Sequence, residues 1–278
     1  DREMHLGLRK EHMPFFKPGH VEELQKKVSM KVTELLDAIA PLGECNLVHN
    51  VSQQLPIFTL SEVLGIPEED RQKLVSWMEF LELAQYFTYE MIKEQSEGKT
   101  DSTPDPAMIE MFNAMVDEMF DYGRFILKEK RKNPSEDLLS AIANAEIDGE
   151  KLTDEFLDGS WLLIIFAGND TTRNTMSGGI KLLHENQQQK ELLMQDSDLL
   201  PNFIQETIRC VSPVIHMRRT SLEETEIGGQ KIGPFEKISL WYGAANRDPD
   251  IFENPNEFNI LRANADKHLA FGIGRHTC

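Results

Sequence analysis

The chain has 278 residues, 40% of them hydrophobic, which is enough to bury a substantial core in one large domain or two ordinary ones. Its 47 acidic residues outnumber 29 basic residues and give a net charge of −18, so nucleic acid and anionic lipid surfaces are poor partners. The three cysteines are too scattered for a disulfide framework and include no Cys-x-x-Cys pair, which predicts a reducing, cytoplasmic setting.

Neither a membrane helix nor a signal peptide is predicted. The most apolar run, residues 161–167, is far shorter than the ~20 residues of a membrane helix, and the opening residues do not resemble a signal peptide. We therefore expect a soluble protein with no membrane span. The chain does not begin with Met and stops on a cysteine within a motif, which predicts that both ends are truncated.

Residues up to about Val211 are predicted to be mainly helical. Apolar residues recur at spacings of three and four from Leu24 to Leu36, the mark of an amphipathic helix. Further helices are expected over residues 51–64, 68–91 and 108–132, with a polar loop at 96–106.

The longest helix signal begins at Thr153, a good N-cap residue, and continues to about His184 as one predicted helix. Its centre, residues 167–172, is a run of small and polar residues that interrupts the apolar pattern. Interruptions of this kind tend to fall at functional sites.

The remaining elements are shorter. A helix is predicted from Pro201 to Cys210, followed by strand-like segments at 225–227, 230–232 and 237–242 and then a coil-rich stretch. The expected fold class is mainly α with a small β region.

The chain ends on Phe271-Gly-Ile-Gly-Arg-His-Thr-Cys278. Two glycines separated by one residue, placed before a cysteine, predict a tight backbone loop that presents a thiolate. The competing interpretation is a glycine turn beside a buried free thiol.

This motif resembles the haem-binding signature of bacterial cytochromes P450. The resemblance implies that Cys278 is the ligand of the iron of haem b, that Phe271 packs near its sulfur with Gly272 in the cofactor loop, and that His276 hydrogen-bonds a haem propionate. It also implies the cytochrome P450 fold, as one domain over residues 1–278 that is truncated at both ends.

The centre of the long helix, Ala167-Gly168-Asn169-Asp170-Thr171-Thr172, is similar to a second motif of the family. Gly168 would let oxygen and substrate approach the helix, with Ala167 beside the cofactor. An acid followed by an alcohol can relay protons, so Asp170 and Thr171 are predicted to be catalytic. The alternative is a Thr/Asp pair that satisfies the backbone of a kinked helix.

Three cationic positions are similar to the family's propionate-binding residues. His5 and Arg9 stand at i and i+4, on one face of a helix, and match a His-x-x-x-Arg motif. Arg219 matches the arginine that enters the first sheet. The alternative in each case is a surface charge.

Glu206 and Arg209 stand at i and i+3, a spacing that a solvated ion pair commonly explains. The resemblance instead implies a structural ion pair with a further arginine. Glu257 stands where that arginine is often found, which leaves Arg262 and Arg247 as candidates.

The resemblance implies a monooxygenase that uses O2 to hydroxylate an unactivated C–H bond of a small hydrophobic substrate. The motifs of this sequence are similar to those of family branches that act on alkanes, fatty acids or sterol and terpenoid skeletons. Electrons are expected ultimately from NAD(P)H through a ferredoxin and its reductase. The residues expected to line an apolar substrate pocket are Leu163, Ile164, Ala167, Val214 and Ile215.

Three alternatives remain open. The first is a peroxide-driven haem-thiolate peroxygenase, the second is a haem-binding sensor or carrier without turnover, and the third is an acidic helical interaction protein without a cofactor.

Overall fold

The structure is a computed structural model that describes residues 2–97 and 106–278. Helices dominate it, with a few short antiparallel strand pairs, as the sequence predicts. The chain forms two compact units, one up to Asp170 and one from Thr171 to Cys278. Most of the polar loop predicted at 96–106 lies outside the described residues.

The first unit consists of helices and one short hairpin. Its elements are α1 (Arg2–His12), α2 (Pro18–Ile39), α3 (Gln54–Leu64), α4 (Arg71–Ser96), α5 (Pro106–Lys132), α6 (Leu138–Asn144), β1 (Glu146–Ile147), β2 (Glu150–Lys151) and α7 (Asp154–Ala167). The sequence did not predict α1, α6 or the hairpin as separate elements, although it placed His5 and Arg9 on a helical face. A single turn of π-helix, Val48–Ser52, precedes α3.

The core of this unit is mostly aliphatic and contains an aromatic cluster between α4, α5 and α7. The rings of Trp77 and Trp161 meet edge to face with centroids 6.3 Å apart, and Tyr122 lies 5.4 Å from Trp77. The Trp161 indole N–H donates to the Met119 carbonyl at 3.0 Å. Gly123 permits this packing, because a Cβ at that position would lie 2.5 Å from Trp161 Cδ1.

The predicted helix from Thr153 to His184 is not continuous, and this prediction was wrong. The Thr153 hydroxyl caps the start of α7 by accepting from the Phe156 N–H at 3.3 Å, as expected. The helix ends at Ala167 because the Asn169 N–H bonds back only three residues, to the Phe166 carbonyl. A Cβ at position 168 would lie 2.8 Å from Leu60 Cδ1 and 3.3 Å from the Ile164 carbonyl oxygen, so Gly168 lets the Leu60 side chain of α3 pack against the end of the helix. A second helix, α8 (Asp170–Glu185), follows the break.

The second unit combines helices with two strand pairs. Its remaining elements are α9 (Gln187–Gln195), α10 (Leu200–Val211), β3 (His216–Thr220), β4 (Thr225–Ile227), β5 (Gln230–Ile232), β6 (Lys237–Trp241) and α11 (Tyr242–Ala245). β3 pairs with β6 from His216 opposite Trp241 to Thr220 opposite Lys237. β4 and β5 form a hairpin whose turn residues, Gly228 and Gly229, both have positive φ. After α11 the chain has no further α-helix or strand up to Cys278, in agreement with the coil-rich prediction.

Candidate functional site

The C-terminal segment forms a tight loop that starts at Phe271. Gly272 and Gly274 have φ values of 71° and 83°, a region that favours glycine. The Cys278 N–H donates to the Phe271 carbonyl at 2.9 Å, which closes the loop. The Thr277 hydroxyl donates to the Gly274 carbonyl at 2.8 Å. Cys278 is exposed.

The other cysteines have different surroundings. Burial raises the pKa of the Cys210 thiol to about 11, and the nearby Glu206 carboxylate raises it further. A thiol with so high a pKa stays protonated at neutral pH and is a poor ligand for a metal ion. Cys45 is exposed and lies beyond the end of α2 in the first unit. Within the second unit, Cys278 differs from Cys210 in being exposed.

The predicted ion pair on α10 is buried, so the solvated alternative was wrong. Arg209 donates to both carboxylate oxygens of Glu206, at 2.7 and 2.8 Å, and both side chains are 0% exposed. Of the two candidates for the further arginine, Arg262 bonds Glu206 at 3.1 Å. Arg247 instead donates to the Cys210 carbonyl. Glu257 contributes its backbone carbonyl, which accepts from both Arg209 and Arg262 at 3.1 Å.

Asn246 joins this buried ion-pair cluster to the Cys278 loop, and the sequence did not identify it. Its carbonyl accepts from Arg209 at 2.8 Å, and its side-chain oxygen accepts from the Leu269 N–H at 2.6 Å. The side-chain amide also donates to the Ser212 hydroxyl at 2.8 Å. Asn246 is fully buried, so these bonds fix the start of the loop against α10.

The break before α8 places the acid–alcohol pair at the start of a helix. Asp170 and Thr171 are the first two residues of α8, and the Thr171 carbonyl accepts from the Thr175 hydroxyl at 2.8 Å. Asn169, just before them, is 1% exposed, and its side-chain amide has no hydrogen-bond partner among the described residues. Buried polar groups are usually paired, so a polar residue is kept at this break at a cost in stability.

Thr171 and Phe271 line one apolar groove in the second unit, with a volume of about 470 Å³. Thr172, Thr175 and Pro213 also border it. The groove thus brings the start of α8 and the start of the Cys278 loop to one cavity.

The residues predicted to contact the propionates lie in both units. His5 and Arg9 are half-buried on α1 in the first unit. Arg219 is exposed on β3, where its guanidinium donates to the Arg218 carbonyl at 3.0 Å. His276 is exposed in the 3₁₀ turn Gly274–His276 of the loop.

The predicted substrate-contacting residues have mixed environments. Leu163 is 67% exposed on α7, and Ala167 is exposed at the end of the same helix. Ile164 packs against the hydrophobic core of the first unit. Ile215, just before β3, is exposed, while Val214 is half-buried.

The donor set of the second unit fits a haem. Over residues 2–97 and 106–278, no group of three or more His, Cys, Asp and Glu side chains could hold a metal ion. A haem needs only an axial ligand from the protein, and an exposed cysteine in a glycine loop can supply it. In the same unit, the Arg219 guanidinium and an N–H donor of His276 suit the propionates. In the described part of the chain, no helix is long and apolar enough to cross a membrane.

A mainly helical fold with a glycine-containing loop that presents a cysteine is typical of haem-thiolate proteins. The cytochrome P450 family model matches residues 99–278, and the chain belongs to the cytochrome P450 family.

Individual relatives match along the whole chain. It is 33% identical to linalool 8-monooxygenase from Pseudomonas putida and 32% identical to a steroid C26-monooxygenase from Mycobacterium tuberculosis, and it covers 64% and 70% of those proteins. Among solved structures, P450BioI in complex with an acyl carrier protein that carries hexadec-9Z-enoic acid is 28% identical with a TM-score of 0.84. CYP109E1 from Bacillus megaterium in complex with testosterone is 30% identical with a TM-score of 0.83. All of this chain aligns with each structure, and it covers 67% and 71% of them.

Proposed function

We propose that the protein containing this chain is a haem-dependent monooxygenase that hydroxylates an unactivated C–H bond of a hydrophobic substrate. The observation that carries the proposal is the Cys278 loop, closed by the bond from the Cys278 N–H to the Phe271 carbonyl. An exposed cysteine held in this way can approach a planar cofactor from one side. The family membership of the chain supports the same interpretation.

The residues of this chain would divide the work as follows. Cys278 would hold the iron of haem b, with Phe271 and Gly272 shaping the loop around its sulfur. His5, Arg9, Arg219 and His276 would pair with the propionates. When bound, the haem supplies the activation of O2, while the protein supplies ligation, protons and a dry pocket.

Protons would pass through the start of α8. The Asp170 carboxyl can take up a proton and pass it to the Thr171 hydroxyl, which both donates and accepts hydrogen bonds. The helix ends at Ala167 and restarts at Asp170, so this pair follows directly after the break. Gly168 has no side chain and Ala167 has only a methyl group, so these residues would leave space beside the pair.

The substrate is proposed to be an aliphatic chain, a fatty acid, or a sterol or terpenoid. Its apolar contacts would come from Leu163, Ile164, Ala167, Val214 and Ile215. The named activities of the linalool and steroid monooxygenases support this class of substrate. Electrons would come ultimately from NAD(P)H, through a ferredoxin and its reductase.

The test compares Thr171→Ala with Thr225→Ala in the full-length protein, supplied with redox partners, O2 and an aliphatic substrate. Thr225 is an exposed threonine on β4 that does not border the groove, and it serves as the control. We expect Thr171→Ala to keep consuming reductant and O2 while it releases more hydrogen peroxide and less hydroxylated product, and Thr225→Ala to stay coupled. Unchanged coupling in Thr171→Ala would remove Thr171 from the proton path.

A second assay of the wild type, with peroxide in place of reductant and O2, separates the alternatives. Product from peroxide alone, with none from O2 and reductant, would identify a peroxygenase. A coloured protein that forms no product would indicate a haem-binding sensor or carrier. A colourless protein would favour an interaction protein without a cofactor.

A further inference from the structure

We infer that His268 is a positioning residue for the Cys278 loop, in which it acts as a neutral imidazole that carries its proton on Nε2. The inference rests on the proposed function, because it concerns the loop that would present Cys278 to the cofactor. His268 is not among the residues that line the groove described above.

Two hydrogen bonds hold the His268 ring. Its Nε2 lies 3.0 Å from the side-chain oxygen of Gln205 on α10, and its Nδ1 lies 3.3 Å from the backbone nitrogen of Ala270. The Ala270 N–H can only donate, so Nδ1 must accept. A neutral imidazole has one donor and one acceptor, and Nε2 must therefore donate to Gln205.

Burial favours the same protonation state. His268 is 8% exposed, and burial lowers the pKa of its ring. Arg209 also lowers it, whereas Asp266 and a backbone hydrogen bond raise it. A doubly protonated ring could not accept from Ala270, so protonation would break that bond.

The ring lies three residues before the loop begins, where the chain contacts α10. The bond to Gln205 fixes the loop to the helix that carries Glu206 and Arg209. Its ring centroid lies 5.4 Å from that of Phe271, and the Phe271 carbonyl accepts the Cys278 N–H. A shift of His268 would therefore reach the backbone around Cys278 through Phe271.

Asn246 and His268 hold neighbouring residues of the segment that leads into the loop. Asn246 holds the backbone of Leu269, whereas His268 holds the backbone of Ala270 and packs on the Phe271 ring. Losing His268 should therefore loosen the loop between Leu269 and Phe271 without detaching it from α10.

Two variants of His268 and one control variant separate the effects of its two hydrogen bonds. His268→Leu removes both. His268→Asn keeps an acceptor for the Ala270 N–H, because an asparagine side chain bonds the N–H two residues on, but it cannot reach Gln205. His184→Asn is the matched control, since His184 is an exposed histidine on α8 in the same unit.

The first measurement is nitrogen-15 NMR of the histidine rings in the full-length protein, in its diamagnetic reduced CO-bound form. We expect His268 to show a protonated Nε2 and an unprotonated Nδ1 at neutral pH. The opposite tautomer, or a doubly protonated ring, would overturn the inference. The tautomer can also be read in protein that holds no haem, so this result is separate from a failure of the proposed function.

The second measurement is amide hydrogen exchange, combined with the reduction potential of the haem-loaded protein. In His268→Leu we expect the Ala270 amide to exchange about three- to tenfold faster, with a shifted potential and part of the CO-bound band moved to the thiol-type position. His268→Asn should keep the exchange rate of Ala270 near the wild-type value, and His184→Asn should match the wild type throughout. Unchanged exchange and potential in His268→Leu would show that the ring does not position the loop.

Discussion

The guanidinium Nε of Arg262 lies 3.1 Å from both carboxylate oxygens of Glu206, and the two side chains are 6% and 0% exposed. With Arg209, the cluster holds two positive charges and one negative charge. Backbone carbonyls stabilise the remaining positive charge, since Arg262 donates to those of Glu253 and Asn254, and Arg209 to that of Pro255. Burial lowers the pKa of Arg209, but its bonds to Glu206 outweigh this effect and the pKa is raised.

Glu206→Gln is expected to destabilise the protein by about 3–5 kcal/mol, because it leaves two buried guanidinium groups without their carboxylate. Glu185→Gln is the control, since Glu185 pairs with Lys181 on the exposed surface of α8 and such a pair contributes about 0.3–0.5 kcal/mol. The free energy of unfolding from urea titration checks both. Similar losses in the two variants would contradict a structural role for the buried cluster.

Arg262→Met should cost far more stability than Arg247→Met. The first removes a charged partner of Glu206 and three bonds to backbone carbonyls. The second removes an exposed arginine that bonds only backbone carbonyls. Urea unfolding of both variants measures the difference in the free energy of unfolding. A greater loss in Arg247→Met would contradict the assignment of Arg262 as the second arginine that pairs with Glu206.

Gly123→Ala is expected to destabilise the first unit by about 1–3 kcal/mol, because the new methyl group would collide with the Trp161 ring. Gly159→Ala on α7 is the matched control. A Cβ at position 159 meets nothing within 4 Å, and alanine in a helix interior stabilises by about 0.5–1 kcal/mol over glycine. Thermal unfolding should move in opposite directions for the two variants. Equal shifts would contradict the close packing of α5 on α7.

Stability is expected to fall as the pH drops below the ordinary histidine pKa of 6.5, because burial lowers the pKa values of His12 and His268. In that range the unfolded chain binds protons that the folded protein does not, so the free energy of unfolding decreases towards the folded pKa values. The contribution is fully present above 6.5.

His12→Leu should make this acid slope shallower, because the buried Nε2 of His12 has no partner among the described residues. His184→Gln, at an exposed position, should leave it unchanged. Urea unfolding between pH ~7.5 and ~5 measures the slope. A steeper slope in His12→Leu would contradict the lowered pKa of His12 in the folded protein.

Local signals predicted much of the fold. The spacing from Leu24 to Leu36 falls within α2, and Pro201 lies in the first turn of α10. Gly228-Gly229 forms the turn between β4 and β5, where positive φ favours glycine. In each case the responsible interaction lies within a few residues along the chain, so the sequence pattern is sufficient.

Contacts between distant residues could not be predicted in this way. Nothing in the local sequence shows that Leu60 would pack against position 168, where α7 ends. Nor does it show that Arg262, more than 50 residues away, would bond Glu206 in place of Arg247. Asn246 and His268 stand in a coil-rich region with no periodic pattern. Their hydrogen bonds to the loop depend on tertiary packing, which became visible only in the structure.

The most direct test of the central claim is the absorption spectrum of the reduced, CO-bound full-length protein. We expect a strongly red-shifted Soret band of the thiolate type, present in the wild type and in Cys210→Ala but lost in Cys278→Ala. A histidine-type spectrum in the wild type, or a thiolate-type band that survives in Cys278→Ala, would contradict the assignment of Cys278 as the haem ligand.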